Sequence, residues 1–446
     1  MKKKLTVQEY VVVASMLFGL FFGAGNLIFP VHMGQMAGSQ LVPATLGFLI
    51  TGVGLPLLSV AALGISKSEG LFDLSRKVSR PYAYFFTCLL YLTIGPFFAI
   101  PRCATTAFTV GIEQAVPQAA EQLRLGLLVF SAVFFAAALL FSLFPGKILT
   151  WVGKILNPFF LLFLGILIIV ALVKPSAAIS AVAPEGAYAA QAFSTGFLEG
   201  YNTMDVLAGL AFGIIVVQVI RELGVTDADA VASSTVKAGV FSSLLMALIY
   251  LAVTVVGAQS RGLFATSENG GIALAQIARH YLGSAGLVIL AATVTPVGLI
   301  TSCAETFCGM FPKGPGYRAW AVLFTLISFA LSNFGLSTII SYSVPVLMFL
   351  YPLAIALVLL ALFGRFYRHD RAVYISVIVC TLLAALYDLI CALPEGLYDA
   401  LHADAVQAFG LRVLPFAGAG LGWICPLALG FVIGLAVHLM QKFRTK

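Results

Sequence analysis

Four short stretches carry residue types that a helix facing lipid holds only at high cost, because hydrocarbon offers no partner for a freed backbone group or an ionisable side chain. The first is Phe18-Gly-Leu-Phe-Phe-Gly-Ala-Gly-Asn-Leu-Ile-Phe-Pro30, with glycines at 19, 23 and 25, then Asn26, then a proline that lacks an amide donor. Glycine admits the backbone angles that unwind a helix. An unwound turn from Gly23 to Asn26 leaves carbonyls of one half-helix and amides of the next aimed into the protein. Such carbonyls suit a cation, and the positive N-terminal end of the second half suits a carboxylate. The competing reading makes Gly19 and Gly23 a GxxxG packing face.

The second stretch, Gly196-Phe-Leu-Glu-Gly-Tyr-Asn-Thr-Met-Asp-Val-Leu-Ala-Gly209, sets Glu199, Asn202 and Asp205 in an apolar frame. Either these line a polar site at membrane depth, or the two acids mark a wetter helix end. The third, Thr295 to Glu305, gathers Thr301, Ser302 and Glu305 on about one helical turn. Hydroxyl oxygens are hard ligands for an alkali cation, although Thr and Ser in membrane helices also bond their own backbone or a neighbour, and Glu305 equally suits a cytoplasmic end. The fourth, Gly95-Pro-Phe-Phe-Ala-Ile-Pro-Arg-Cys103, holds two prolines and Arg102. A buried guanidinium needs partners, and Glu199 or Asp205 can serve as counter-ion; the arginine either touches a substrate or locks two helices together.

The elements that position these residues follow from composition. With 61% hydrophobic and 10% charged residues, the chain lies outside the range of soluble domains, which carry roughly a quarter charged residues. The bilayer is the implied solvent and the lipid the implied surroundings. At about 20 apolar residues per helix, the chain divides into about twelve spans. These are 9–36, 41–64, 82–112, 125–144, 148–173, 194–220, 233–257, 285–309, 318–333, 336–363, 372–392 and 412–440. The basic Met1 to Lys4 resembles a signal-peptide flank, but Glu9 and the many later spans favour an uncleaved first helix.

Of the 25 Lys and Arg, only Arg124, Lys174, Arg261, Arg279 and Arg412 fall on the far side if both termini are cytoplasmic, and only Arg102 lies within a span. This positive-inside asymmetry accounts for the +7 charge without a nucleic-acid partner and predicts a multi-pass inner-membrane protein with cytoplasmic N- and C-termini. The seven cysteines have no metal-type spacing and read as reduced thiols.

Residues 9–173 and 194–363 each hold five of these spans, and an odd number per block gives the two blocks opposite orientation. The first and sixth spans then open their blocks, and paired interruptions at corresponding positions of inverted repeats point to a transporter's binding site. The division is 1–173 for the first repeat, 194–363 for the second, and 364–446 for two additional helices with the C-terminus. A channel would need polar stripes along several spans, whereas the polar residues here cluster at the breaks. An intramembrane enzyme would need a nucleophile, base or metal set, and His32, His280, His369, His402 and His438 lie mostly at predicted ends and in loops. Neither an enzyme nor an obligate protein partner is expected.

At these residues the chain resembles the branched-chain amino acid:cation symporters (LIVCS family, BrnQ/BraB type), and the likeness runs over essentially its whole length. Leu17 to Pro30, Gly95 to Arg102, Glu199 to Ala208 and Ser302 to Glu305 carry it. The resemblance implies an all-α membrane protein with a LeuT-like five-plus-five inverted repeat, broken helices 1 and 6, and two further helices. It also implies import of leucine, isoleucine and valine by symport through alternating access, with Na+ as coupling ion, H+ as the alternative, and no organic cofactor. The same fold with another amino acid or small solute is the nearest rival.

By the same resemblance, a sodium site takes the carbonyls of Gly19, Phe22 and Gly298 and the hydroxyls of Thr301 and Ser302. The turn Gly23, Ala24, Gly25, Asn26 and Leu27 would receive the substrate carboxylate. Asn26 matches the side chain that serves a second sodium in some relatives, with no match for its companions in the sixth and seventh spans. Residues near the breaks, Phe98, Ile100 and Tyr201, with Asn202, would shape the substrate pocket. Arg102, Glu199, Asp205 and Glu305 are the coupling or structural ionisable groups.

Overall fold

The structure, a computed structural model, describes residues 4–66, 68, 70–113, 119–143, 157–292 and 296–444, with backbone alone at 157–160, 228, 285, 288–292 and 444. The start of the fifth predicted span (148–156), Thr295, and Lys2, Lys3, Lys67, Lys147, Lys154 and Lys446 of the cationic flanks lie outside the described residues.

The described residues are helical and contain no strand. The first span is α1 (Val7–Phe21) and α2 (Gly25–Ala37). The second is α3 (Leu41–Leu49) and α4 (Leu55–Ile65), joined through a π turn at Ile50–Gly54. After α5 (Leu71–Arg76) come α6 (Arg80–Leu92) and α7 (Ala99–Gly111), joined by a second π turn at Thr93–Phe97. Next are α8 (Ala120–Ser142) and α9 (Asn157–Val173). The second half runs through α10 (Tyr188–Glu199), α11 (Asp205–Glu222), α12 (Ala228–Ser260), α13 (Gly270–Ala292), α14 (Val297–Met310), α15 (Tyr317–Ser332) and α16 (Leu336–Phe363). The last part is α17 (Arg371–Cys391), two short helices α18 (Glu395–Ala400) and α19 (Asp404–Val413), and α20 (Ile424–Arg444).

Among the described residues, seven helical stretches are long and apolar enough to cross a bilayer, and eight when α10 and α11, bent by 43°, count as one. Shorter apolar helices at Val7–Phe21, Leu161–Val173, Val297–Met310 and Tyr317–Ser332 complete the set. Twelve therefore remains the hydropathy count: length alone does not establish it, because the break at Phe22–Ala24 cuts the first span into short pieces. Pro96 and Pro296 account for two of the interruptions, each lacking the amide that would continue the ladder.

Two sequence expectations are corrected. The eighth span is not confined to 285–309: α13 starts at Gly270, bends at Gly283 (φ 66°), and gives way to α14 after Pro296. The last span starts at Ile424 rather than 412, because Phe416 and Gly420 adopt left-handed angles that end the helical course between α19 and α20. Glu9 helps to start the first helix. Its carboxylate accepts from the Thr6 amide (2.8 Å) while its own amide donates to Thr6 Oγ1 (3.3 Å), a capping box that starts α1.

The packing exchanges partners between the halves. Both pieces of the first span, α1 and α2, lie on α12, whereas α10 lies on α3 and α11 on α4. Each block's broken helix thus rests on the second span of the other block. Glycines let the backbones approach at both crossings. A Cβ at Gly34 would stand 2.1 Å from the Thr254 carbonyl oxygen, and one at Gly257 would stand 2.1 Å from that of Val31. At the counterpart crossing, Gly47 meets the Phe193 oxygen at 2.1 Å and Gly196 meets that of Ala44 at 2.0 Å. Gly23 has no such role, since its nearest neighbour would be Asn26 Oδ1 at 3.8 Å. The GxxxG alternative therefore finds no helix against Gly23. In the final pair, α17 packs on α16 and α20. Asp370 caps α17 through the Ala372 amide (2.8 Å) and also pairs with His438 of α20.

Candidate functional site

The first break is set by Phe22, which ends α1 in an extended conformation (φ −76°, ψ 103°), and by Gly25, where α2 starts. Across it, the Gly23 amide donates to Asn26 Oδ1 (2.8 Å), so the asparagine side chain replaces the missing helical acceptor. The second break is a tight turn at Gly200–Thr203, followed by Met204 in the left-handed region (φ 63°, ψ 13°). A side chain in that region costs about 1–2 kcal/mol, and the surroundings must hold it there. The turn seats on the π turn of the second span: a Cβ at Gly200 would meet Thr51 Oγ1 at 1.9 Å, and that hydroxyl donates to the Phe197 carbonyl (2.7 Å). α11 then begins at Asp205, whose amide donates to Thr203 Oγ1 (3.3 Å).

The breaks meet through three buried side chains. Asn26 Nδ2 donates to Asp205 Oδ2 (2.7 Å) and to the Tyr250 hydroxyl, which donates in turn to the same Asp205 oxygen (2.8 Å). Asp205 and Asn26 are each 1% exposed, and Tyr250 is fully buried. One carboxylate oxygen thus binds α2, α11 and α12 into a single polar node. Its place in the first turn of α11 also sets it against that helix's positive end.

Arg102, 4% exposed, completes the junction from α7. Its Nη1 donates to the Asn202 carbonyl (2.8 Å), and its guanidinium lies over the Phe29 ring (5.1 Å to the centroid). A Cβ on Gly25 would come within 2.7 Å of Arg102 Nη2, so a side chain there would displace the guanidinium. The suggested ion pair does not form. No described carboxylate makes a salt bridge with Arg102: Asp205 is held by Asn26 and Tyr250, and Glu199 accepts from Asn202 Nδ2 (3.3 Å). Tyr201 stacks on Tyr351 of α16 (centroids 4.1 Å apart). Both hydroxyls are buried without a hydrogen-bond partner among the described residues.

Gly23, Gly25, Asn26, Arg102, Glu199, Tyr201, Asn202 and Asp205 are therefore brought to one junction. Ala24 and Leu27 are buried beside it, and Phe98 is half-buried, with its ring near Phe97 (6.5 Å). Ile100 points elsewhere. It packs in a cluster with Ala104, Phe135, Ile300, Ala304 and Ala321, because two residues along a helix from Arg102 is nearly the opposite face.

The proposed cation ligands are divided. Gly19 and Phe22 are half-buried on α1, the Phe22 ring stacking with Phe18 (4.8 Å) and lying 6.3 Å from Tyr250. On α14, Gly298 and Glu305 are exposed, Ser302 is half-buried and Thr301 is buried. Thr301 Oγ1 lies 3.4 Å from the Tyr317 hydroxyl, which donates to the Ser142 carbonyl (2.6 Å). The principal neighbours of α14 are α15, α8, α6 and the π turn at Thr93–Phe97, and α1 is not among them.

Sequence reasoning missed Tyr250, Phe29 and Tyr351. For Tyr250 the available signal was a phenol in the middle of an apolar span, since a buried tyrosine hydroxyl usually needs a partner.

Two broken helices exchanged between the halves and meeting at a buried polar node define an all-helical membrane fold of the LeuT-like class. Solved structures of that architecture agree. Mhp1, a nucleobase-cation-symport-1 family transporter in a closed conformation with bromovinylhydantoin bound, aligns with a TM-score of 0.56 at 16% identity, covering 97% of this chain and 93% of that one. A manganese transporter from Eremococcus coleocola aligns with a TM-score of 0.55 at 14% identity, covering 96% and 94%.

The chain belongs to the branched-chain amino acid transport protein family, whose profile matches residues 6–441. It is 52% identical to the branched-chain amino acid permease BrnQ of Lactobacillus delbrueckii subsp. lactis over 450 residues, covering 100% of both chains. It is 38% identical to BrnQ of Bacillus subtilis (strain 168), again covering 100% of both, and 36% identical to BraB of the same organism, covering 98% and 97%.

Proposed function

We propose that this protein imports leucine, isoleucine and valine across the bacterial inner membrane by cation symport with alternating access. The carrying observation is the junction where Asn26, Asp205 and Tyr250 join the two breaks beside Arg102, in a chain of this family. In this reading the turn from Gly23 to Leu27 receives the amino-acid carboxylate, while Phe98 and Tyr201 border the side chain. One methylene is worth about 1–3 kcal/mol in an apolar pocket, so the three substrates are poorly separated.

The coupling ion in this reading is Na+, held by the carbonyls of Gly19, Phe22 and Gly298 and the hydroxyls of Thr301 and Ser302. Because α14 packs on α15 and α8, ion binding has to favour an arrangement that draws α14 and α1 together. An ion shifts that equilibrium only by its differential affinity for the two arrangements. Protons are the second reading, favoured by the burial of Asp205 at the junction.

Counterflow of labelled leucine, isoleucine and valine in proteoliposomes tests the substrate class, and uptake under an imposed Na+ or H+ gradient tests the ion. The double variant Thr301→Ala, Ser302→Ala is expected to raise the Na+ concentration for half-maximal leucine uptake by about tenfold or more. An unchanged Na+ dependence removes the proposed ion site. Cationic flanks on one side support cytoplasmic termini. A reporter fused after Lys446 is expected to be active in a form that works only in the cytoplasm, and a periplasmic signal sinks that orientation.

A further inference from the structure

Arg102 is a cation at membrane depth that makes no salt bridge with any described carboxylate, and it lies against the turn at which the first helix unwinds. Of the five N–H donors of a guanidinium, one is used by an acceptor among the described residues, the Asn202 carbonyl at 2.8 Å. The guanidinium lies over the Phe29 ring, 5.1 Å from its centroid. Nη2 stands where a side chain on Gly25 would begin, 2.7 Å from that ideal Cβ position. The nearby acids are engaged elsewhere, Asp205 with Asn26 and Tyr250 and Glu199 with Asn202. Asp205 acts on Arg102 only through space, and a buried charge without a direct ion pair is unfavourable unless something else neutralises it. A helix lock would be served as well by a neutral donor, without that burden.

We propose that Arg102 is a substrate-binding residue: its guanidinium binds the α-carboxylate of the transported amino acid, in partnership with the backbone of the unwound turn at Gly25. The inference rests on the proposed amino-acid substrate and adds to it a reason for the requirement of a carboxylate. A planar fork suits a carboxylate, with two parallel N–H donors for its two oxygens. The donation to the Asn202 carbonyl and the contact with Phe29 hold the fork between α2 and the turn at Gly200–Thr203, so carboxylate binding and the relative placement of the two breaks are linked. The bare Gly25 lets the guanidinium lie directly against the backbone of the unwound turn, and a side chain there would push Nη2 aside.

The test measures KM for L-leucine counterflow in proteoliposomes, and its inhibition by leucinamide and leucinol, which keep the ammonium and side chain but lack the carboxylate. In the wild-type protein both analogues are expected to compete about a hundredfold more weakly than leucine, since the charged hydrogen bonds are lost. Arg102→Gln is expected to raise KM for leucine by about a hundredfold and to bring leucine and leucinamide to within about threefold of each other. Arg102→Lys, which keeps the charge but loses the fork, should fall between them, with KM up by about tenfold.

If Arg102 only braces the helices, maximal rate or protein yield falls while the preference for leucine over leucinamide is unchanged in Arg102→Lys; that result overturns the proposal. Where Arg102→Gln fails to reach the membrane, the lysine variant alone decides by the same ratio. A wild-type protein that does not exchange leucine at all removes the substrate assignment on which the proposal rests. Wild-type exchange with an intact leucine preference in the variants overturns the role of Arg102 alone.

Discussion

Asp205→Ala is expected to abolish leucine accumulation, because it removes the acceptor that joins three helices at once. The Asp205 Oδ2 atom takes hydrogen bonds from Asn26 Nδ2 (2.7 Å) and from the Tyr250 hydroxyl (2.8 Å). Hydrogen bonds to a charged group are worth about 1.5–3 kcal/mol each, so two of them amount to about 3–6 kcal/mol. The variant also leaves two donors buried without that acceptor. The expected loss in initial rate exceeds about a hundredfold.

Asp205→Asn separates charge from shape. It keeps an oxygen in place and is expected to reach the membrane at normal levels, yet to lose gradient-driven accumulation by about tenfold or more if the ionised group takes part in coupling. Tyr250→Phe, which removes one donor and keeps the Asn26 contact, is expected to be milder than either. Initial rates of labelled leucine uptake, normalised to protein in the vesicle, provide the measurement. Accumulation within twofold of wild type in Asp205→Asn would show that the charge at this node is dispensable.

The second large effect is expected where the broken first helix crosses α12. Gly34→Ala puts a methyl 2.1 Å from the Thr254 carbonyl oxygen, and Gly257→Ala puts one 2.1 Å from that of Val31. Both obstacles are backbone, so no rotamer relieves the clash and the two helices must separate. Overpacking a close interface typically costs about 1–3 kcal/mol and can exceed that where backbone is blocked. Each variant should lower the thermal unfolding midpoint in detergent and reduce transport, the double variant more than either alone.

Gly165→Ala in α9 supplies the control, since nothing lies within 4 Å of its Cβ position. It is expected to be neutral or to stabilise by up to about 1 kcal/mol through helix propensity. Equal melting curves for Gly34→Ala and Gly165→Ala would contradict the close crossing. The counterpart crossing predicts the same behaviour at Gly47 and Gly196, as expected if the two halves repeat one design in opposite orientation.

Much of this architecture was legible because lipid makes polarity conspicuous. Glycines, Asn26 and a proline in the first span, and Glu199, Asn202 and Asp205 in the sixth, marked both breaks before any packing was considered. The structure places those breaks at Phe22–Ala24 and at Gly200–Met204. Less legible were the partners. Arg102 was expected to meet an acid, and it meets the Asn202 carbonyl and the Phe29 ring instead. Ile100 was expected near the substrate, and it packs with Ile300 and Ala304. Thr301 shares a turn with Ser302, yet its hydroxyl lies beside Tyr317 of α15.

What the sequence determined by itself is the solvent, the family and the positions at which helices cannot continue. Each follows from a local cost: charge in hydrocarbon, a proline without an amide, or a glycine free of side-chain restraint. Only the tertiary structure decided which of the expensive residues meet. Each break resets the phase of the helix that follows it, so spacing no longer tells which face a side chain takes. Tyr250, remote from both breaks in the chain, reaches Asp205 because α12 crosses α2 at Gly34 and Gly257, where two backbones touch.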